Sequence, residues 1–279
     1  MQNALTFDVE DYFNGVRTLG LYSPDIWDSF EARVDRMVDR VLAILETKQL
    51  TATFFVLGWT AERHPSLVRE IASRGHEIAT HGYGHELIYQ QSPDEFREDV
   101  SRSKSIIEDQ LGLPVIGYRA PAFSITAKSE WALDIIADLG FRYDTSIVPI
   151  IGHDTYGFAN TPRSAYQVRP GLLEIPVTTS RLLRWNLPVG GGGYFRLYPY
   201  ALTKRLLRKV NAEGIPAVTY FHPWEFDTSE PELEGPWLSR FRHNVNRSRM
   251  ASKFGRLCDD FTFAPIRDTF REVLDSGIK

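Results

Sequence analysis

With 279 residues, 43% hydrophobic and 24% charged, the chain is long enough for one large α/β domain or two small ones. A net charge of -4, from 36 acidic against 32 basic residues, carries no broad nucleic-acid signature, and the single cysteine, Cys258, excludes an internal disulfide framework. The start, MQNALTFDVEDYF, has no basic segment followed by an apolar run, and no stretch approaches the roughly 20 apolar residues that span a bilayer, so a cytoplasmic protein without a secretory leader is expected.

Short β-rich runs alternate with amphipathic stretches, the pattern of strands joined by crossover helices. A first strand, Ala4 to Val9, ends in the acidic cluster Asp8, Glu10, Asp11. Val34, Met37, Val38, Val41, Leu42 and Leu45 recur at helical spacing and predict a helix from Phe30 to Lys48. The run Ala52 to Leu57 is apolar on both faces, as a buried parallel strand is. Pro65 opens a helix that Gly75 stops, and a strand from Glu77 to Thr80 runs into His81, Gly82 and His85. A polar helix, Pro93 to Leu111, precedes a strand ending at Tyr118 and Arg119. A helix from Lys128 to Leu139 leads to a strand from Phe141 to Ser146. Two further β-like runs, Leu172 to Val177 and Ala217 to Phe221, flank a helix from Tyr200 to Ala212.

The glycine run Gly190 to Gly193 reads as the most flexible stretch, either a plain loop or one that faces substrate. Beyond His222 the chain is turn-rich and acidic, then basic, and is too short for a core of its own. The expected division is therefore a domain over 1–222 and a C-terminal extension over 223–279 packed on it. The basic part, Arg240 to Arg256, suits an anionic surface, though a solvated face is the simpler account.

In parallel α/β sheets and barrels, chemistry gathers where strands end at the C-terminal edge. Asp8 and Glu10, His81 and His85, Arg119, Asp144 and His222 all fall at such ends, which points to a barrel-like enzyme. In THGYGHE (Thr80 to Glu86) two histidines four apart can face one ion, and the glycines favour a tight loop over a helix-interior pair. In TFDVEDYF (Thr6 to Phe13) three carboxylates within four positions repel one another unless a cation neutralises them. Residues 8 and 10 share a strand face, so one can hold metal while its neighbour acts as base. In GYRAPAF (Gly117 to Phe123) Arg119 can orient a catalytic carboxylate and keep it ionised. In VTYFHPWEFD (Val218 to Asp227) His222 closes an apolar strand, where it can act as general acid. His64, His76, His153 and His243 lack such context and are expected to be structural or exposed.

Together and in this order, over roughly Leu5 to His222, these motifs resemble the polysaccharide deacetylases of carbohydrate esterase family 4, the NodB-homology superfamily. GLLEIPV (Gly171 to Val177), GGGYFR (Gly191 to Arg196) and HPWEFD followed by RFRH resemble its branch in exopolysaccharide and exosortase (PEP-CTERM) gene clusters. The usual first motif, T-F-D-D-G, is broken by Val9, and DVE matches the alternative spacing D-x-E.

The resemblance implies an α/β fold, a distorted (β/α) barrel of seven or eight units. It implies one divalent ion, foremost Zn with Co, Ni or Fe as alternatives, on Glu10, His81 and His85, with Asp11 as substitute for Glu10. Asp8 would be the base, held by Arg119, and His222 the acid, tuned by Asp144 or Glu174. A backbone N–H near Ala122 or Phe123 would meet the oxyanion, while Pro121, Phe123, Tyr194, Arg196 and Trp224 would face substrate. The implied reaction removes N-acetyl groups from a polysaccharide or lipid-linked oligosaccharide, releasing acetate, with peripheral contact at the inner membrane as a further expectation. Two readings compete: a cyclic amide or imide hydrolase of the same fold, and a non-catalytic carbohydrate-binding protein, which Val9 would favour.

Overall fold

The computed structural model describes residues 1–15, 22–151, 156–231 and 236–276; His153 lies outside them. β1 (Gln2–Val9) is buried along almost all its length and has parallel partners on both sides, β2 (Thr53–Val56) and β10 (Val218–Phe221). Phe7 sits in register with Phe54 and Phe221, and its ring stacks on Phe54 at 5.1 Å. From β2 the sheet continues in parallel through β3 (Glu77–Thr80), β4 (Gly117–Tyr118), β5 (Tyr143–Asp144) and β7 (Leu172–Glu174), ending at the antiparallel β6 (Tyr166–Arg169). This is the α/β class expected, with a mostly parallel central sheet.

Among the described residues no strand pair joins the two sheet edges into a ring. Backbone bonds span the gap instead: Thr178 N–H donates to Val218 O (3.3 Å) and Tyr220 N–H to Gly190 O (2.8 Å). The segment after β7 thus runs beside β10 without forming a full strand there. Pro176, which has no N–H to give a ladder, stands just past the end of β7, earlier than the predicted Val177.

The helices start and stop where local chemistry directs. α4 (Pro93–Leu111) opens on a capping box between Ser92 and Glu95 with Pro93 in its first turn, and Gly112 ends it at φ 64°. α1 (Val34–Thr47) buries the six apolar residues its spacing predicts but begins four residues later than Phe30. Its start is set from a distance: Asp11 accepts hydrogen bonds from the N–H groups of Arg33 (2.7 Å) and Val34 (3.0 Å). α2 (Gly58–Arg63) and α3 (Pro65–Ser73) precede β3, and α5 (Ala132–Asp138) precedes β5. No helix among the described residues is long and apolar enough to cross a membrane.

Two elements depart from the sequence reading. β8 (Thr179–Leu182) and β9 (Trp185–Pro188) form a hairpin whose two-residue turn is Leu183–Arg184, with Leu183 at φ 55°. Nothing in that turn carries the Asn-Gly signature that marks such hairpins. The glycine run starts α6 (Gly192–Leu197), and all of it but the exposed Gly193 is tightly packed: a Cβ on Gly190 would lie 2.5 Å from Val218 O, and one on Gly191 2.5 Å from the Tyr220 hydroxyl. Its glycines permit close approach of neighbouring chain.

After α7 (Tyr200–Ala212) and β10, the chain adds α8 (Trp237–Asn244), α9 (Met250–Asp260), β11 (Thr262–Ala264), α10 (Ile266–Thr269) and α11 (Arg271–Ser276). β11 pairs in parallel with the start of β1, and Phe254 of α9 packs against Phe7, Phe221 and Phe226. Arg247, in the basic stretch read as a solvated face, is buried and paired with Glu230.

Candidate active site

The C-terminal ends of β1, β3, β4 and β10 bring Asp8, Glu10, His81, His85, Arg119 and His222 to one place. Glu10, His81 and His85 are 2%, 2% and 3% exposed, and one donor atom of each lies within 4.8 Å of the others. His85 Nε2 is 2.7 Å from Glu10 Oε2. His81 Nδ1 lies 2.9 Å from the Arg119 carbonyl, which can only accept; the proton is therefore on Nδ1, and Nε2 keeps its lone pair. Burial carries His81 down to about 4, so its imidazole is neutral. Burial alone would raise Glu10, but His85, His222 and His81 outweigh it and bring the carboxyl to about 2. Two imidazoles and an ionised carboxylate, buried and facing one another, match the donor set of a zinc-type ion.

The loop that carries the histidines is gripped by a residue the motif did not include. Asp99 of α4 accepts from Tyr83 N–H (2.7 Å) and Gly84 N–H (2.9 Å), and a Cβ on Gly82, at φ 73°, would sit 2.8 Å from its Oδ2. His85 itself takes a left-handed conformation, φ 51°, to turn its ring inward. Asp11 turns the other way: Tyr12, Arg33 and Val34 N–H groups take up its two oxygens, so of the three acids only Glu10 joins the imidazoles.

Arg119 is fully buried; its Nη1 donates to Asp8 Oδ1 (2.6 Å) and Thr6 Oγ1 (2.8 Å), and the guanidinium lies 4.0 Å over the Phe55 ring. His222 Nε2 is 3.4 Å from Glu10 Oε1 and 3.9 Å from Asp8 Oδ2, while Nδ1 is 3.3 Å from Glu225 Oε1. Burial disfavours the charged imidazole, yet the Glu225 hydrogen bond and the charges of Glu10, Glu225 and Asp8 carry it up to about 9.

Glu225 is the residue sequence reasoning missed. Pro223–Phe226 forms a 3₁₀ turn, which places residues three apart on one side and so sets Glu225 under His222. The carboxylate rests on Gly192, where a Cβ would come within 2.1 Å of Oε2, and Arg196 Nη2 approaches it at 3.5 Å. Asp144 and Glu174, the acids expected to tune His222, are instead register partners on β5 and β7. Ser146 Oγ donates to Asp144 (2.5 Å) and Ile147 N–H to Glu174 (3.0 Å). Burial, then the Asp144 charge, push Glu174 well above the usual carboxyl range, so this pair shares a proton.

Of the residues expected to face substrate, Phe123 and Tyr194 join an aromatic cluster: Phe123 lies 4.5 Å from Tyr220 and 6.0 Å from Tyr156, whose hydroxyl is 3.4 Å from that of Tyr194. Pro121 is buried beside Gly82. Trp224 stands between His222 and His243, stacked on both at 5.0 and 4.3 Å, and its Nε1–H reaches Glu10 Oε1 at 3.4 Å. Arg196 is buried and gives its guanidinium to the carbonyls of Arg242, His243 and Val245, which turns it away from a substrate role toward holding the C-terminal segment. Of the two N–H groups expected to meet the oxyanion, that of Phe123 donates to Ala120 O (3.0 Å), and Ala122 stands at φ 50°.

Residues 21–143 match the family model described as polysaccharide deacetylase, and residues 145–271 match a domain of unknown function (DUF3473). The chain carries a polysaccharide deacetylase domain. The two matches meet near residue 144. Asp8 and Glu10 precede both matches, His81, His85 and Arg119 lie in the deacetylase match, and His222 and Glu225 lie in the second.

A peptidoglycan-N-acetylglucosamine deacetylase of Bacillus cereus is 27% identical over 130 residues, 42% of this chain and 47% of that protein. The peptidoglycan deacetylase-like protein FGM2 of Gibberella zeae is 32% identical over 119 residues, 42% of this chain and 33% of that one. The chain thus spans less than half the length of these relatives. A Mycobacterium smegmatis structure described as a polysaccharide deacetylase superposes with TM-score 0.63 at 23% identity, covering 99% of this chain and 91% of that one. A peptidoglycan N-acetylglucosamine deacetylase structure gives TM-score 0.51 at 16% identity, covering 97% and 88%. Both share the fold of the deacetylase domain.

Proposed function

We propose that the protein is a divalent-metal-dependent hydrolase that removes N-acetyl groups from N-acetylhexosamine units of a polysaccharide or lipid-linked oligosaccharide, releasing acetate. One observation carries the reading: beside a buried Glu10–His81–His85 donor set stand both an Arg119-held carboxylate and a Glu225-backed imidazole, 3.9 Å apart. Relatives named as peptidoglycan-N-acetylglucosamine deacetylases support the substrate class. The resemblance to the exopolysaccharide branch points to a secreted glycan as the polymer.

Glu10 Oε2, His81 Nε2 and His85 would hold the ion, Zn suiting this set best, with Co, Ni or Fe as alternatives. When bound, such an ion supplies Lewis acidity toward the acetyl carbonyl and lowers the pKa of water. Asp8 is the base: Arg119 occupies Oδ1 and leaves Oδ2 to accept the proton of the attacking water. His222 is the acid, holding its proton on Nε2 between Asp8 and Glu10 and delivering it to the leaving amine. Glu225 fixes Nδ1–H and keeps the ring oriented through that transfer. Tyr194, partly exposed, offers a ring to a sugar face beside the buried Phe123, whereas Trp224 is covered on both faces by His222 and His243 and backs the acid instead; Pro121 fixes the backbone at Ala122.

The test is acetate release from N-acetylglucosamine oligomers by the purified chain supplied with Zn or Co, beside a panel of hydantoins and imides. Acetate from the oligomers alone supports the assignment. Turnover of the imides alone, or none with any metal, overturns it.

A further inference from the structure

From Ile175 to Ala212 the chain contains five Arg and two Lys and no acidic residue, although the whole protein carries -4. Arg196 is buried and Lys204 is paired with Asp260 at 2.5 Å, but Arg181, Arg184, Arg205 and Lys209 are exposed. They lie close together: Lys209 Nζ donates to the Arg181 carbonyl, and Leu202, Arg205 and Lys209 share one exposed stripe of α7 beside the hairpin. The next acid along the chain, Glu213, is taken by Arg163 at 2.5 Å.

Within this basic surface the hairpin tip presents large apolar side chains to solvent. Leu183 is 90% exposed, Leu182 and Trp185 55% each, and the Arg184 guanidinium sits 5.3 Å over the Trp185 ring. Leu183 occupies a left-handed turn position, φ 55°, where Asn or Gly would cost less backbone strain, and its side chain gains almost no packing within the fold.

We propose that the β8–β9 hairpin and the adjoining face of α7 form a docking surface for an anionic lipid bilayer. Leu182, Leu183 and Trp185 enter the headgroup–acyl boundary while Arg181, Arg184, Arg205 and Lys209 meet anionic headgroups. A bilayer interface is the partner that offers negative charge and an apolar phase at the same depth, and Trp and Arg are the side chains that settle there. A soluble polyanion would satisfy the cations and leave the two leucines in water. This surface replaces Arg240 to Arg256 as the membrane-facing candidate, since Arg247 there is buried against Glu230. The inference is independent of the deacetylase reading.

Sedimentation of the full chain with vesicles of phosphatidylcholine and phosphatidylglycerol at 3:1, against pure phosphatidylcholine, tests it. The expected result is at least tenfold stronger partitioning to the anionic vesicles. It should fall at least tenfold in Leu183→Ser/Trp185→Ser and again in Arg181→Gln/Arg184→Gln, with unfolding midpoints unchanged because all four positions are exposed. Brominated acyl chains should quench wild-type tryptophan fluorescence, and the quenching should vanish in Trp185→Phe. Equal partitioning to both vesicles, or loss only in the arginine variant while the Leu183/Trp185 variant still binds, overturns the proposal; the latter marks a polyanion site without insertion.

Discussion

β3 carries a buried histidine at each end, His76 just before it and His81 just after it, and burial drives both down to about 4. What separates them is their company. At the lower end each acceptor atom of His76 and Glu77 has a donor. His76 Nδ1 accepts from Ala52 N–H (3.1 Å), and the neighbouring Glu77 carboxylate accepts from Thr53 Oγ1 (2.6 Å), Tyr143 Oη (3.0 Å) and Arg267 N–H (3.0 Å). At the upper end the buried Glu10 Oε2 accepts no hydrogen bond, although it faces His85 Nε2 at 2.7 Å and a donor atom of His81 lies within 4.8 Å. A perturbed pKa therefore does not mark a site by itself; a buried convergence of acceptors that need a cation does.

The sharpest way to break that contrast is to remove acceptors at the upper end. His81→Ala/His85→Ala should take acetate release to background and abolish bound metal by elemental analysis, while the fold persists by circular dichroism. A double variant that stays fully metallated would refute the ligand assignment. Asp8→Asn removes the base but none of the three donors, so turnover should fall by about 10² to 10⁴-fold with metal content unchanged. Next in size is the support of the acid. Glu225→Gln should lower turnover by about tenfold to a hundredfold, within what a general acid contributes. Gly192→Ala should do the same without replacing any polar group, because its Cβ would lie 2.1 Å from Glu225 Oε2 and displace that carboxylate. A Gly192→Ala enzyme with full activity would show that Glu225 can move without consequence.

At the lower end the expected loss is of stability, not chemistry. Glu77→Ala leaves the Thr53 and Tyr143 hydroxyls and the Arg267 N–H without their acceptor, at a cost of about 1–3 kcal/mol in urea unfolding. Turnover per folded molecule should hold, because the site is at the opposite end of the strands. A tenfold fall in that turnover would erase the distinction between the two ends.

How legible these regions were follows from how local their causes are. The strand-end residues Asp8, Glu10, His81, His85, Arg119 and His222 could be read because each closes an apolar run that must be buried. The bounds of α4 could be read because Ser92, Glu95 and Gly112 sit within it or next to it. Glu225 was hidden in a turn-rich acidic stretch, and Gly192 among glycines that look flexible; each explains the other only once the chain is folded. Arg196 is expected from its motif to face substrate, and its true partners are invisible locally because the carbonyls that take up its guanidinium come from residues 242–245. Asp144 and Glu174 looked like partners for His222, since nothing in the sequence says that β5 and β7 pair in the register that couples them. The β8–β9 hairpin was missed because a Leu-Arg turn carries no turn signature.

The smallest expected effect returns to His76 and follows from the sign of its shift. Burial, helped by the Arg74 and Arg267 charges, holds the folded imidazole at about 4, whereas the unfolded one titrates near 6.5. Between those values the unfolded chain binds a proton that the native state refuses, so His76 supports the native state fully above about pH 6.5 and loses that support as pH falls toward 4. The slope is at most one proton, about 1.4 kcal/mol per pH unit. In His76→Gln the amide oxygen can still accept from Ala52 N–H but nothing titrates. Urea midpoints of the wild type should therefore converge on those of this variant as pH is lowered from 7 to 5. Parallel curves would mean that His76 is hydrated in the native state, and the lower end of β3 would then be less sealed than the upper.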